Sequence, residues 1–360
     1  MPAMLRLGKH SLDAPFFQAG LAGYSDTAMR LVARRHGAPY CVTEAMLDQF
    51  LVAGGKGLAA AALDDRDHPI AGQLMGSHPA DIAAGARVLV KLGYDVIDIN
   101  LACPVKKIKK KARGGHLLAA DDDAVAILDA VRQAVGDDAP CTVKLRRGSD
   151  DTPEAERRFH RIFEAAIELG YAGAVVHGRT VEQKYLGPAR WSFLRDLVTR
   201  YKPHAPHFVI GGSGDIWQAS DIFAMICNTG VDLVSVARGC IGNPWIFRQA
   251  RAIMAGDGEG ATRPPTLAEQ RDVLAEHFEL SVGIHGEKKA GMMMRKFGIK
   301  FSHHHHDAEA VRQAFIGVKC LADWRSVLDT HYDAPPGPGN RPSAIDVRQS
   351  PQPLTTGSHA

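Results

Sequence analysis

The fold of this chain is decided by the stretch Asp95-Val96-Ile97-Asp98-Ile99-Asn100-Leu101-Ala102-Cys103-Pro104. Its first half is a short apolar run, which is typical of a buried strand. Its second half carries the amide of Asn100 and the thiol of Cys103, which therefore follow the carboxyl end of that strand. In a parallel α/β barrel this end of the strands carries the chemistry.

Similar apolar runs alternate with amphipathic stretches from about residue 15 to residue 250. The predicted strands are 16–19, 40–45, 70–75, 96–101, 142–145, 174–177, 208–211 and 233–237. Helical patterns lie between them, for example at 79–91, 122–135, 153–169 and 216–227. Such alternation indicates a parallel sheet with crossover helices, and eight repeats favour a closed (β/α)8 TIM barrel. No GxGxxG motif follows the first strand, which argues against a nucleotide-binding Rossmann sheet.

The pattern changes after the barrel. Glycine, proline and polar residues at 256–265 indicate a linker, and the patterns at 267–284, 288–301 and 308–328 are helical only. We predict a catalytic barrel domain over residues 1–255, a small all-helical domain over 266–330 and a disordered tail over 333–360. The four histidines at 303–306 are expected to form a helix end or loop with incidental metal affinity, and no metal site is predicted.

Composition excludes several classes of protein. The 360 residues are 45% hydrophobic and 23% charged, as in ordinary soluble globular proteins. No apolar run approaches the roughly 20 residues of a membrane span, and residues 1–10 lack the apolar segment of a secretory signal. The six cysteines are scattered, so we expect reduced thiols in a cytoplasmic protein. We also expect a monomer with no membrane partner.

The positive charge is concentrated in one place. Net charge is only +3, which does not by itself indicate a nucleic-acid-binding protein. A dense basic run nevertheless follows the Cys103 loop directly, consisting of Lys106, Lys107, Lys109, Lys110, Lys111 and Arg113. Its position beside the predicted active site favours contact with a polyanion.

The ends of the other predicted strands also carry polar groups or glycine-rich turns. Turns after the seventh and eighth strands are the usual phosphate-binding corner of such barrels, and Arg238 adds a positive charge there. Lys144 and Gln73 suit the polar edge of a planar ring. Together these features indicate a phosphate-bearing aromatic cofactor, for which flavin mononucleotide (FMN) is the natural candidate. A lysine near the flavin pyrimidine ring would stabilise the anionic reduced form.

Eight short motifs follow one another along the chain. They are Ala22-Gly23-Tyr24-Ser25-Asp26, Thr43-Glu44-Ala45, Gln73-Leu74-Met75-Gly76, Asp98-Ile99-Asn100-Leu101-Ala102-Cys103-Pro104, Val143-Lys144-Leu145-Arg146, His177-Gly178-Arg179-Thr180, Gly214-Asp215-Ile216 and Gly242-Asn243-Pro244-Trp245. In this order they resemble the bacterial-type tRNA-dihydrouridine synthases, and the resemblance covers roughly residues 14–330. It implies an FMN-bound barrel that reduces the C5–C6 double bond of uracil in RNA, with NADPH as the usual electron donor.

The resemblance also implies roles for individual residues. The flavin contacts fall on Gly20, Leu21, Ala22, Gln73, Lys144 and His177, and the phosphate loops on Ser213, Gly214, Asp215, Ala237 and Arg238. The residues that face the target uracil are Asn100, Arg146 and Tyr185. Cys103 matches the proton donor, which protonates C5 while reduced flavin N5 gives a hydride to C6. An ordinary thiol, with a pKa of about 8.5, is mostly protonated at neutral pH and suits this role.

Four positions depart from the family pattern. Gly20 stands where proline is usual, Leu21 where methionine is usual, Ser213 where asparagine is usual and Ala237 where glycine is usual. Because most of these contacts are made through the backbone, we expect the identity of the cofactor to be unchanged.

The RNA must reach this site from outside the barrel. A uridine within folded RNA has to be swung out of its stack to meet a flavin there. We expect the RNA backbone to be held by Lys106, Lys107, Lys109 and Lys110 and by helical-domain residues such as Lys288, Lys289, Arg295, Lys296 and Lys300. The sequence leaves open whether the RNA is transfer or ribosomal RNA, and which uridine is modified.

Two other functions stay open at this point. An FMN barrel acting on a free pyrimidine, as dihydroorotate-type dehydrogenases do, would need neither the helical domain nor the basic run. A flavin-bearing RNA-binding or folding factor without reductase activity would have no need for an intact Cys103, Lys144 and His177.

Overall fold

The computed structural model describes residues 4–104 and 114–333. Its strands are β1 (Leu5–Leu7), β2 (His10–Leu12), β3 (Phe16–Gln18), β4 (Cys41–Val42), β5 (Met46–Leu47), β6 (Ile70–Met75), β7 (Val96–Leu101), β8 (Cys141–Arg146), β9 (Gly173–His177), β10 (Val209–Ser213) and β11 (Leu233–Val236). The basic run at 106–113 and residues 334–360 of the predicted tail lie outside the described residues.

Helices separate most of these strands and make up the C-terminal segment. They are α1 (Thr27–Arg35), α2 (Asp48–Val52), α3 (Lys56–Ala60), α4 (Pro79–Lys91), α5 (Asp121–Val135), α6 (Pro153–Glu168), α7 (Trp191–Tyr201), α8 (Ala219–Thr229), α9 (Trp245–Ala255), α10 (Gly258–Thr262), α11 (Leu267–His285), α12 (Glu287–Phe301), α13 (Ala308–Gly317) and α14 (Leu321–His331). Short 3₁₀ turns lie at Gly114–Ala119, Arg238–Cys240 and Ser302–His304.

Eight parallel strands close into a barrel. Strands β6 to β11 pair in chain order, β11 pairs with β3, β3 with β4, and β4 with β6. The predicted TIM barrel is therefore confirmed. The second predicted strand, 40–45, is shorter in the structure, where only β4 lies within it; after a break at residues 43–45 comes β5, which pairs with the end of β6.

The two faces of the barrel strands bury different groups. In β7, Ile97, Ile99 and Leu101 join the large core formed with the surrounding helices. Val96 instead packs with the residues that fill the barrel interior. Since side chains alternate along a strand, Asp98 and Asn100 lie on the same inward face as Val96. The strands are largely apolar because both faces are covered, and inward-facing polar residues such as Asp98 and Asn100 interrupt them near their carboxyl ends.

A small hairpin covers the amino-terminal end of the barrel. Strands β1 and β2 pair antiparallel, and Leu7 and Leu12 pack with interior residues such as Phe17 and Val209. This hairpin was not predicted. It leaves the carboxyl ends of the strands as the open end of the barrel.

The C-terminal helices pack against the barrel rather than standing apart. Phe297 and Trp324 belong to the same hydrophobic core as Met29 of α1 and Trp245 of α9. The prediction of a single third helix over 308–328 is wrong, because α13 and α14 are separated at residues 318–320. The predicted linker also contains the short helix α10.

The histidine tract lies at the end of α12, where a helix end was expected. His304 packs on the Trp245 ring with the centroids 5.0 Å apart. Within the described ranges, no group of three or more His, Cys, Asp or Glu side chains is arranged to hold a metal ion. None of the described helices combines the length and apolar character needed to cross a bilayer.

Candidate active site

A cavity of about 300 Å³ lies within the barrel and opens at the carboxyl ends of its strands. Every catalytic, cofactor-binding and uracil-facing residue predicted within the described part of the chain lines this cavity. They are Gly20, Leu21, Ala22, Gln73, Asn100, Cys103, Lys144, Arg146, His177, Tyr185, Ser213, Gly214, Asp215, Ala237 and Arg238. The structure thus brings together residues from seven separate loops and strand ends.

Strand register explains how these side chains meet. Across β6, β7 and β8, Gln73 pairs with Asp98, and Asp98 with Thr142. Asn100 lies opposite Lys144 two residues further along. Each row therefore places polar groups side by side inside the barrel.

Lys144 is the most unusual group in the cavity. Its ammonium is buried and has no hydrogen-bond partner among the described residues. The pKa of Lys144 is lowered to about 7, mainly by burial and also by the nearby Arg146, while Asp98 acts in the opposite direction. A buried amine without a partner is costly, so this position indicates a site prepared for a ligand.

Asp98 is a buried carboxylate with two donors. Thr142 Oγ1 donates to Oδ1 at 2.6 Å, and Gln73 Nε2 donates to Oδ2 at 2.8 Å. Burial raises the pKa of Asp98, while the two hydrogen bonds and Lys144 act in the opposite direction. Gln73 in turn accepts a hydrogen bond from Asn100 Nδ2 at 2.6 Å.

Asn100 holds the loop that carries the thiol. Its Oδ1 accepts hydrogen bonds from the backbone N–H groups of Ala102 and Cys103, each at 3.0 Å. The Cys103 carbonyl accepts a hydrogen bond from the Gly115 N–H at 3.0 Å. Cys103 is partly exposed and lines the cavity. Its backbone is thus held on both sides.

Arg146 braces the same loop from the next strand. Its Nε donates to the Ala102 carbonyl at 2.8 Å, and its Nη1 donates to the carbonyls of Thr180 and Lys184, both at 2.8 Å. Burial lowers the pKa of Arg146 to about 10. The guanidinium therefore ties the loop after β7 and the loop after β9 to the end of β8.

His177 is held as a neutral ring. Burial lowers its pKa well below the ordinary value, and the positive charge of Lys144 adds to this effect. Arg179 Nη1 lies 3.4 Å from Nε2, and Ser213 Oγ lies 3.3 Å from Nδ1. Because arginine can only donate, Nε2 is the acceptor and Nδ1 carries the proton.

A cationic corner lies beside the turns that follow β10 and β11. The Arg238 guanidinium is 4.7 Å from the Tyr185 ring centroid and 4.6 Å from that of Trp217. Burial lowers the pKa of Arg238, and the neighbouring Arg179 lowers it further. Both guanidiniums lie beside the Asp215 carboxylate, with Arg179 Nη2 at 2.6 Å and Arg238 Nη2 at 3.8 Å from its Oδ1. Sequence reasoning did not assign Arg179 or Trp217 to the site, although Arg179 lies within one of the quoted motifs.

Two glycines make the walls of the cavity possible. A Cβ at Gly20 would lie 2.1 Å from the Thr43 carbonyl oxygen, so no other residue fits without moving this backbone. Gly214 has a φ of +120°, and a Cβ there would lie 2.6 Å from that of Ala189. Gly20, the departure from the family pattern, therefore allows close approach of two strand ends.

The first loop, residues 20–26, is held by the C-terminal helices. His285 Nε2 lies 2.8 Å from Asp26 Oδ2, and the Lys296 ammonium lies 4.5 Å from the Tyr24 ring centroid. On its other side, the Gly23 N–H donates to Glu44 at 2.6 Å. The helical segment therefore contacts a loop that lines the cavity.

Comparison with known proteins identifies the family. Residues 17–331 match the model of the family described as dihydrouridine synthase (Dus). The chain belongs to the dihydrouridine synthase family. A probable tRNA-dihydrouridine synthase of Mycobacterium tuberculosis is 32% identical over 96% of this chain and 90% of its own length. The tRNA-dihydrouridine synthase B of Klebsiella pneumoniae is 30% identical over 91% of this chain and 99% of its own length.

Solved structures agree with the fold. Histamine dehydrogenase from Rhizobium sp. 4-9 matches this dihydrouridine synthase with a TM-score of 0.54 and 15% identity, over 77% of this chain and 50% of its own. A 2-naphthoyl-CoA reductase matches with a TM-score of 0.53 and 15% identity, over 71% of this chain and 52% of its own. At this identity the similarity concerns the barrel fold alone.

Proposed function

We propose that this dihydrouridine synthase reduces uridine to 5,6-dihydrouridine in tRNA, with FMN as its cofactor and NADPH as its electron donor. One observation carries the proposal: the Cys103 thiol lines the same cavity as a buried lysine that has no partner among the described residues. A proton donor and a cation prepared for a ligand are the two groups that a flavin-dependent reduction of uracil requires of the protein.

The residues present fit FMN. The unpartnered Lys144 amine suits the electron-rich edge of the ring system, since it would stabilise negative charge there. Arg238, with the turn at Ser213–Asp215 and the backbone of Ala237, suits the phosphate. Gln73, His177 and residues 20–22 would complete the binding site. When bound, the flavin supplies the hydride for uracil C6.

Cys103 would supply the proton for C5. The Cys103 N–H donates a hydrogen bond to Asn100, and the Cys103 carbonyl accepts one from the Gly115 N–H. These two hydrogen bonds fix the backbone that carries the thiol. Asn100, Arg146 and Tyr185 line the cavity close to this loop and would contact the target base. Tyr185 is 55% exposed, so it lies where a base swung out of the RNA would enter.

The RNA would cross the mouth of the barrel onto α12. Lys288, Lys289 and Arg295 are exposed on this helix. The same helix reaches the mouth, because Lys296 lies beside Gly23 and the Lys300 backbone packs against Gly242. We assign RNA backbone contacts to this helical segment, residues 266–330, and to Lys106, Lys107, Lys109 and Lys110, which lie outside the described residues.

We further propose that the enzyme works as a cytoplasmic monomer. All six cysteines are free, which fits a reducing compartment. Purified protein in size-exclusion chromatography with light scattering should elute at the mass of a single 38.8 kDa chain.

The test of the proposed function uses the purified chain, FMN, NADPH and unmodified tRNA. The expected product is tRNA containing dihydrouridine, with consumption of NADPH that depends on RNA. If the enzyme instead reduced free uracil or oxidised dihydroorotate, at a rate that RNA does not change, it would be an enzyme of free pyrimidines. Binding of RNA without any product would show a binding factor.

A further inference from the structure

A continuous chain of hydrogen bonds runs from the barrel interior to the loop of the proton donor. It starts at the buried Asp98 carboxylate, passes through the side chains of Gln73 and Asn100, and ends at the backbone N–H of Cys103. Its successive distances are 2.8, 2.6 and 3.0 Å. Each of the two carboxamides donates with its nitrogen towards Asp98 and accepts with its oxygen on the side of Cys103.

The direction of this chain is set by its two ends. The ionised form of Asp98 can only accept hydrogen bonds, and the N–H of Cys103 can only donate them. A carboxamide has nearly the same shape after a half-turn, so packing alone does not choose which end of Gln73 faces Asp98. If Gln73 turned over, its Oε1 would face Asp98 and its Nε2 would face Asn100 Nδ2, and both hydrogen bonds would be broken.

We propose that Asp98 is a positioning residue that acts through Gln73 and Asn100 to hold Cys103 in place for proton transfer. The inference rests on the proposed function, because it gives Cys103 the role of proton donor. Without an acceptor at position 98, Gln73 would be free to turn, and Asn100 Nδ2 would lose its fixed acceptor. The Asn100 side chain would then be anchored only by the N–H groups of Ala102 and Cys103, so the Cys103 loop would be held less firmly, while the surfaces that bind RNA would be unchanged.

The carboxylate has a second link to the site. Asp98 favours the charged form of Lys144, the buried amine opposite Asn100. The group that orients the proton donor thus also influences the lysine proposed to face the cofactor. Thr142 shares Asp98 through Oδ1 but lies outside the chain of bonds that leads to Cys103.

Three variants separate these contributions at saturating FMN. In Asp98→Asn the side-chain oxygen can still accept from Gln73, and its amide can donate to Thr142 Oγ1, so kcat should stay within about 5-fold of the wild type. In Asp98→Leu no acceptor remains, and kcat should fall by at least about 10-fold. The KM for tRNA should stay within about 2-fold in both. Thr142→Val is the matched control, with kcat within about 3-fold of the wild type.

The comparison of Asp98→Leu with Asp98→Asn decides the matter. Equal kcat values in the two folded, flavin-loaded variants would overturn the inference. A rise in the KM for tRNA without any fall in kcat would overturn it as well. If Asp98→Leu does not fold, Gln73→Met interrupts the same chain one bond further along. It should reproduce the fall in kcat at unchanged KM, and a kcat equal to that of the wild type would again overturn the inference. A wild-type enzyme that makes no dihydrouridine would refute the proposed function instead.

Discussion

Arg179 holds Asp215 through both oxygens of its carboxylate, with Nη2 at 2.6 Å from Oδ1 and 2.8 Å from Oδ2. Asp215 also accepts a hydrogen bond from the Ala189 N–H at 2.7 Å, and Arg179 donates to the Gly187 carbonyl. Asp215 has a left-handed φ of 57°. The pair therefore fixes the turn after β10 and joins it to the loop that carries Tyr185.

Arg179→Lys should weaken FMN binding. Lysine keeps the charge but cannot form the same set of directed hydrogen bonds. We expect the Kd for FMN to rise about 10-fold, which corresponds to roughly 1.4 kcal/mol. Quenching of flavin fluorescence on titration into cofactor-free protein measures this constant. Arg190→Lys, at an exposed arginine paired with Asp151, is the control and should leave the Kd unchanged; an equal effect of both variants would contradict the account.

Lys144→Met should stabilise the cofactor-free protein while impairing catalysis. The variant removes a buried amine that has no hydrogen-bond partner among the residues the structure describes, so the free energy of unfolding at pH 7 should rise by about 1–3 kcal/mol. Dihydrouridine formation should fall because the charge that assists reduction is removed. Urea denaturation of the cofactor-free proteins and a tRNA assay measure the two effects.

The gain in stability should depend on pH in a defined direction. The pKa of Lys144 is about 7 in the folded chain, against an ordinary value of 10.5. Between these values the unfolded chain binds more protons, so this group makes stability rise with pH. The advantage of Lys144→Met should therefore be largest near pH 7 and shrink towards pH 10. If the stability gained by Lys144→Met instead grew with pH, the site would not favour the neutral form of the Lys144 amine.

Cys103→Ala should abolish most product formation while leaving binding intact. Loss of a general acid typically lowers a rate by about 10²- to 10⁴-fold. Flavin absorbance and tRNA affinity should match those of the wild type, because the loop is held through its backbone. Cys227→Ala, at an exposed cysteine, is the control and should keep full activity. Substantial activity in Cys103→Ala would remove the thiol from the mechanism.

The double variant Lys288→Met/Lys289→Met should weaken tRNA binding and make the affinity for tRNA less dependent on salt concentration. Each phosphate that the protein no longer neutralises should reduce the slope of log affinity against log salt by about 1. Filter binding at several salt concentrations gives this slope, and flavin content should not change. Arg200→Met, at a half-exposed arginine of α7 paired with Glu164, is the control. An unchanged slope in the double variant would place the RNA elsewhere.

Much of the fold could be predicted because the barrel strands are buried on both faces. Largely apolar runs such as Ile70–Met75 and Val96–Leu101 are long enough to identify, and the polar residues towards their ends indicated the open side of the barrel. The strands β1, β2 and β5 were missed since two or three residues are too few for any periodicity. Separation of α13 from α14 was missed although Gly317, the last residue of α13, stands directly before the break.

The site was predicted less completely than the fold. Residue types indicated which side chains would gather at the cavity, but not which of them would bond to one another. The link between Gln73 and Asp98 depends on the register of β6 against β7, and the link between Arg179 and Asp215 on two turns that are 36 residues apart in the chain. Such pairings follow from strand register and loop conformation, which local sequence patterns do not determine.

The most direct test of the central claim is mass-spectrometric mapping of unmodified tRNA after incubation with the purified enzyme, FMN and NADPH. The account predicts a uridine that becomes heavier by two hydrogen atoms with the wild type, and no such product with flavin-loaded Cys103→Ala. An unchanged tRNA with flavin-loaded wild-type enzyme, or equal product from both proteins, would contradict it.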